Sequence, residues 1–130
     1  MIIKNKKKGI LFWITGLPGA GKTSIANKII NIINKEFGHT ILFNGDDIRK
    51  IFELKDYSLI GRKRIGIQYS KLFQKITNQK INILFAGGVL IEEVRIRNKK
   101  YINNYVEIYL KSSQKKIISK NFKKLYLKTK

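Results

Sequence analysis

The stretch Ile10-Leu-Phe-Trp-Ile-Thr-Gly-Leu-Pro-Gly-Ala-Gly-Lys-Thr-Ser24 governs how the rest of the chain is read. Ile10 to Thr15 is a short, continuous apolar run of the kind that a parallel sheet buries on both faces, and it stops at glycines. Gly16, Gly21, Lys22 and Thr23 satisfy the pattern G-x-x-x-x-G-K-[ST] without substitution. In that pattern the glycines let backbone N–H groups turn inward around a phosphate, and the following helix adds its positive end. Gly16, Leu17, Pro18, Gly19, Ala20, Gly21, Lys22, Thr23 and Ser24 are therefore the expected phosphate-binding loop. Lys22 is expected to reach the β and γ phosphates of ATP, and Thr23 to ligate Mg²⁺. A glycine-rich strand-to-helix turn that binds nothing is the structural alternative, and the complete pattern between an apolar strand and an amphipathic helix argues against it.

Working outward, Ile25, Ile29, Ile32 and Ile33 recur at helical spacing up to Gly38, a helix stop. Thr40 to Phe43 reads as a second strand, and Ile48, Ile51 and Phe52 as the buried side of a short helix behind Asp46 and Asp47. A longer helix is expected from about Leu59 to Asn78, with Ile65, Tyr69, Leu72, Phe73 and Ile76 as its apolar stripe. Ile81 to Phe85 is a third strand and Tyr105 to Leu110 a fourth. One helix is expected within Ile91 to Asn103 and another around Ser112 to Lys120. Strands alternating with helices predict an α/β fold of the P-loop NTPase type, a three-layer, doubly wound parallel sheet of about four strands with helices on both faces. One Pro, no linker-like stretch and no repeat give no reason to divide residues 1–130 into more than a single domain.

Composition narrows the surroundings more than the chemistry. Twenty-eight Lys and Arg against eight Asp and Glu give a net charge of +20, a field that gathers any polyanion without choosing among them. The excess is mostly Lys, accompanied by abundant Ile and Asn, so compositional drift accounts for most of it, and nucleic acid is not expected as a partner. Absence of Cys excludes disulfides and thiolate metal sites, and the single His cannot build a metal cluster alone. The apolar run Ile10 to Ile14 is shorter than a secretory core, and no stretch is long enough to span a bilayer, so a cytoplasmic protein is the expectation.

Two further features point to a small-molecule kinase. Asn44-Gly45-Asp46-Asp47-Ile48-Arg49 closes the second strand, and Tyr57-Ser58 is followed by Arg62. Gly16 to Thr23 resembles the GLPGAGKT loop of adenylylsulfate kinases, and Gly45 to Arg49 resembles their DGDxxR segment. Tyr57, Ser58 and Arg62 match the family's aromatic-Ser pair and downstream Arg, while Lys123, Leu125, Tyr126 and Lys128 resemble its RDxKGLYxKA lid. The resemblance implies ATP-dependent phosphorylation of the ribose 3′-hydroxyl of adenosine 5′-phosphosulfate, within sulfate assimilation. It gives Asp46 the acceptor hydroxyl, Arg49 and Arg62 the phosphosulfate, and Tyr57 a stacking role on the base. The basic segment 111–130 becomes a lid, with Lys123 its substrate contact. A homodimer is compatible with this scheme. Each residue also has a plainer role open to it: Asp46 as a helix cap, the arginines as surface charge, Tyr57 as core.

Departures from the family pattern bear on substrate. Val89 stands in place of a Ser after the third strand, Ile65 in place of an acceptor-binding Asn, Asn44 in place of the first Asp of the DGD segment, and Lys124 in place of the lid Gly. Glu92, Glu93, Val94, Arg95 and Asn98 resemble instead a divergent bacterial branch, one member of which phosphorylates the 3′-hydroxyl of cytidine diphosphoramidate for capsule modification. The family also continues past the lid with a strand and a helix that are absent here, so a C-terminally short member is expected. An inactive nucleotide-binding remnant is the competing expectation. A nucleic-acid module rests on charge alone and lacks an aromatic-basic signature.

Overall fold

A computed structural model describes residues 3–110 apart from 18 and 89. The helix expected around Ser112 to Lys120, and the lid-like segment with Lys123, lie outside the described residues. Four strands form one sheet in the order β2-β3-β1-β4, every pair parallel. Strand β1 (Ile10–Gly16) and strand β3 (Asn82–Ala86) occupy the centre and are buried at every position, as continuous apolar runs should be when both sheet faces are covered. Strand β2 (Thr40–Asn44) and strand β4 (Asn104–Leu110) form the edges.

Helix α1 (Lys22–Phe37) covers one face, packing Ile25, Ile29 and Ile33 against Phe12, Leu84 and Ile108. The other face receives α2 (Gly45–Ile51), α3 (Leu59–Thr77) and α4 (Glu92–Tyr101). Their Ile48, Phe73 and Val94 pack against Leu11, Trp13, Ile83 and Phe85. The step from β1 out to β2 uses one face, and both return steps, β2 to β3 and β3 to β4, use the opposite face. A single hand for all three crossovers demands that division. It also places a topological switch between β1 and β3, where the chain leaves the two central strands in opposite directions and opens a crevice at their C-terminal ends.

Four residues expected in the core are exposed: Ile32, Ile51, Phe52 and Leu72. In α1 the buried stripe is centred on Ile25, Ala26, Ile29 and Ile33, and Ile32 lies on its flank. In α3 the deepest positions belong to small residues, Gly61, Gly66, Ser70 and Thr77, beside Ile65 and Phe73. A Cβ on Gly66 would lie 2.7 Å from Val94 Cγ2, so the absent side chain sets how closely α3 approaches α4. Between these helices, the Ser70 hydroxyl donates to Asn98 Oδ1 at 2.6 Å, and Asn98 Nδ2 donates to the Tyr105 hydroxyl at 3.2 Å.

Asparagines pin the N-terminal ends of the strands. Asn82 Oδ1 accepts from Ile10 N at 2.9 Å while its amide donates to Phe37 O at 2.9 Å. Asn104, fully buried, accepts from the N–H groups of Lys4 and Asn5 and donates to the carbonyls of Asn5, Lys8 and Gly9. It thereby ties the segment before β1 to the start of β4.

Candidate active site

The loop after β1 is shaped by two left-handed glycines, Gly19 (φ 82°) and Gly21 (φ 89°), where a side chain would be strained. Ala20 N donates to Leu17 O at 3.1 Å and closes the turn. Gly21 precedes α1 with no side-chain cap, leaving the first-turn N–H groups facing the loop. Lys22 opens the helix and folds back across the loop, where its ammonium donates to Gly16 O at 2.9 Å and Leu17 O at 3.1 Å. Partial burial pulls its pKa below the usual lysine range, and the nearby Asp46 carboxylate opposes that shift.

Strand β2 delivers the second wall. Asn44 caps α2, its Oδ1 accepting from Asp46 N at 2.9 Å, and its amide donates to Thr23 Oγ1 at 2.8 Å. One side chain thus joins the β2–α2 corner to the first turn of α1. Thr23 Oγ1 keeps a second lone pair for a cation. Among the described residues no cluster of three or more His, Cys, Asp or Glu could hold a metal. Thr23 with Asp46 nearby suits Mg²⁺, which takes most of its ligands from phosphates and water.

The loop after β3 is the third wall. Thr15 Oγ1 accepts from Leu90 N at 2.9 Å and donates to Gly88 O at 3.4 Å. A Cβ on Gly45 would lie 3.4 Å from Gly87 Cα, so glycine lets the start of α2 approach this loop closely.

These walls enclose a cavity of about 690 Å³. Of the loop residues expected to bind phosphate, Gly19, Gly21, Lys22 and Thr23 line it, whereas Gly16, Leu17, Ala20 and Ser24 do not; Pro18 lies outside the described residues. Asp46, Arg49, Tyr57 and Arg62, read from sequence as acceptor-binding residues, all line the same cavity. Arg49 is engaged: it donates to the carbonyls of Leu54 and Asp56, each at 3.2 Å, and its guanidinium lies 4.0 Å from the centre of the Tyr57 ring. One face of Tyr57 is therefore occupied by Arg49. The Arg62 backbone N–H donates to Ser58 O at 2.8 Å, while its guanidinium makes no hydrogen bond or ion pair among the described residues. Asp56 anchors the start of α3, accepting from the backbone N–H and hydroxyl of Ser58, which lowers its pKa with help from Arg64.

The family model for adenylylsulphate kinase matches residues 8–130. The chain belongs to that family. It is 27% identical over 123 residues to the cytidine diphosphoramidate kinase of Campylobacter jejuni, covering 95% of this chain and 72% of that one. It is 26% identical over 127 residues to a probable adenylyl-sulfate kinase of Aeropyrum pernix, covering 94% and 69%. The structure of the Mycobacterium tuberculosis APS kinase CysC in complex with AMPPNP and APS superposes with a TM-score of 0.65 at 20% identity, over 93% of this chain and 73% of that one, a likeness of fold.

As an adenylylsulphate kinase family member the chain is one of a family of ATP-dependent kinases, and its departures from the family pattern take physical form. Asn44 places a neutral amide beside Thr23, where the family pattern has a carboxylate. Ile65 is buried and lines the cavity, giving it an apolar patch where the pattern has an Asn. Cavity-lining residues that the sequence pattern assigned to the core, Trp13 and Tyr69, carry polar tips on otherwise apolar bodies. An aromatic with a hydrogen-bonding atom, three residues before the loop in one case and on the helix facing it in the other, is the signal that would have separated them from plain core. Among the described residues no helix is long and apolar enough to cross a membrane.

Proposed function

We propose that this chain transfers the γ-phosphate of ATP to the ribose 3′-hydroxyl of a nucleotide, adenosine 5′-phosphosulfate being the acceptor implied by the family. The observation that carries this reading is the convergence of Lys22, Thr23 and Asp46 on one cavity that also holds Arg49 and Arg62. Lys22 exchanges its two carbonyl contacts for oxygens of the β and γ phosphates. Thr23 would hold Mg²⁺, which when bound neutralises charge on those oxygens. Asp46 orients the acceptor hydroxyl and takes its proton as the 3′-oxygen bonds to the γ-phosphorus; the bond from that phosphorus to the bridging oxygen breaks, and ADP leaves. The Arg62 guanidinium, with no side-chain partner among the described residues, binds the acceptor's anionic group, and Arg49 joins it by releasing the carbonyls of Leu54 and Asp56.

A second acceptor, cytidine diphosphoramidate, is favoured by Ile65, which removes a polar contact from the cavity wall, and by the Campylobacter relative. The test is ADP release by the purified chain with Mg-ATP and each acceptor offered separately, with Lys22→Ala as control. Turnover with one acceptor, lost in the control, identifies the substrate. ATP binding with no turnover for either refutes the kinase reading and leaves a nucleotide-binding remnant.

A further inference from the structure

Two buried side-chain polar atoms, Trp13 Nε1 and the Tyr69 hydroxyl, have no hydrogen-bond partner among the described residues. Both residues line the cavity just described. Buried polar groups are almost always paired, so two orphans in one cavity call for a reason. They come from separate elements, β1 and α3, and are held in place by a shared neighbour: Trp13 and Tyr69 each pack edge-on against Phe85, with ring centres 4.6 Å and 5.2 Å away. Burial raises the pKa of Tyr69, and Arg49, Tyr57 and Asp46 lie within electrostatic reach of its hydroxyl. The hydroxyl therefore remains a donor near neutral pH, in the cavity that Asp46, Arg49 and Tyr57 also line.

The pair packs in one apolar cluster with Leu90, Ile91 and Val94, and Ile65 and Gly66 add further apolar lining to the same cavity. A phosphate would find no cation among these groups and would be poorly solvated. A flat heteroaromatic ring fits better, with apolar faces and an edge that carries lone pairs. The indole N–H can only donate, and the phenol can donate or accept. We propose that Trp13 and Tyr69 read the base edge of the acceptor nucleotide, Trp13 donating to a ring nitrogen or carbonyl oxygen and Tyr69 pairing with the adjacent edge atom. This assignment rests on the kinase reading for the word acceptor, but the slot can be tested by binding alone.

Trp13 is the single tryptophan of the chain, so its emission reports directly on the slot. The experiment titrates AMP, CMP and ribose 5-phosphate into the 130-residue chain, then repeats the series with Tyr69→Phe, which keeps the ring and removes only the hydroxyl. Expected is saturable quenching by AMP or CMP, with ribose 5-phosphate at least about tenfold weaker. Tyr69→Phe should weaken the base-containing ligand by roughly three- to tenfold, the worth of one hydrogen bond, and leave Mg-ADP affinity unchanged by calorimetry. A urea midpoint at or above that of the wild type would show that the variant folds and that the hydroxyl is unpaired in the free protein; a lower midpoint would mean that the hydroxyl has a structural partner and overturn the assignment. Equal binding of ribose 5-phosphate, no binding of either nucleotide, or an unchanged affinity in Tyr69→Phe also overturns it. Base-dependent quenching without phosphoryl transfer would remove the kinase reading and leave the slot standing.

Discussion

Asn44→Ala would break two bonds made by one side chain, the cap on Asp46 N and the donation to Thr23 Oγ1. Losing a helix cap costs about 1 kcal/mol, and a neutral hydrogen bond is worth about 0.5–1.5 kcal/mol net. Both bonds are solvent-accessible, so the lower ends apply and the sum is about 1–1.5 kcal/mol. With a urea slope of about 1.5–2 kcal/mol/M for a chain of this size, the midpoint falls by roughly 0.5–1 M. Asn44→Asp separates the two contributions. Asp caps as well as Asn, and the Thr23 hydroxyl can turn its proton toward the new carboxylate, so the loss should stay below about 0.5 kcal/mol. Urea denaturation followed by circular dichroism reads both variants. An Asn44→Ala midpoint indistinguishable from wild type, or equal losses for the Ala and Asp variants, would refute the bridging role.

Asp46→Asn should lower kcat by roughly 10²–10⁴-fold, the usual contribution of a positioned general base, with KM for ATP little changed; steady-state kinetics checks the split. Asn104→Ala strips the buried partner from several backbone groups before β1 and should destabilise by about 2–4 kcal/mol, read as a fall in Tm of about 10 °C. Asp56 has a depressed pKa in the folded chain, owed first to the Ser58 hydroxyl and then to the Ser58 backbone. Its contribution is complete above the unfolded carboxylate value of about 4 and is lost as pH falls through the lower folded value. The difference in Tm between wild type and Asp56→Asn should therefore shrink below about pH 4, and a constant difference down to pH 2 would contradict the linkage.

The strands and the phosphate loop were legible because each is written in consecutive residues. Ile10 to Ile14 is apolar throughout since both faces of β1 are covered, and Gly16 to Thr23 carries its geometry in its glycines. The helices are less legible: Gly61, Gly66, Ser70 and Thr77 hold buried places on α3 without a large apolar side chain to mark them, while Leu72, apolar and in step with the stripe, lies exposed at its flank. The six side chains from Lys22 to Arg62 were legible as a set through the family pattern, and the cavity brings them together. Their present partners were not legible. That Asn44 grips Thr23, and that Arg49 lies over Tyr57 while bonding two carbonyls, depends on loop paths that span no regular period.

The central position of β1 also shapes how the chain must be made. Its partners begin at Asn82 and Asn104, so β1, made before both of them, has to wait for most of the described chain before either edge is filled. Loop closure over such separations is slow. In that interval Ile10 to Ile14, an uncharged run of five apolar residues, stands with both edges open. Variants that delay β3 or β4 should therefore fail first as aggregates during synthesis, even where the finished fold would tolerate them.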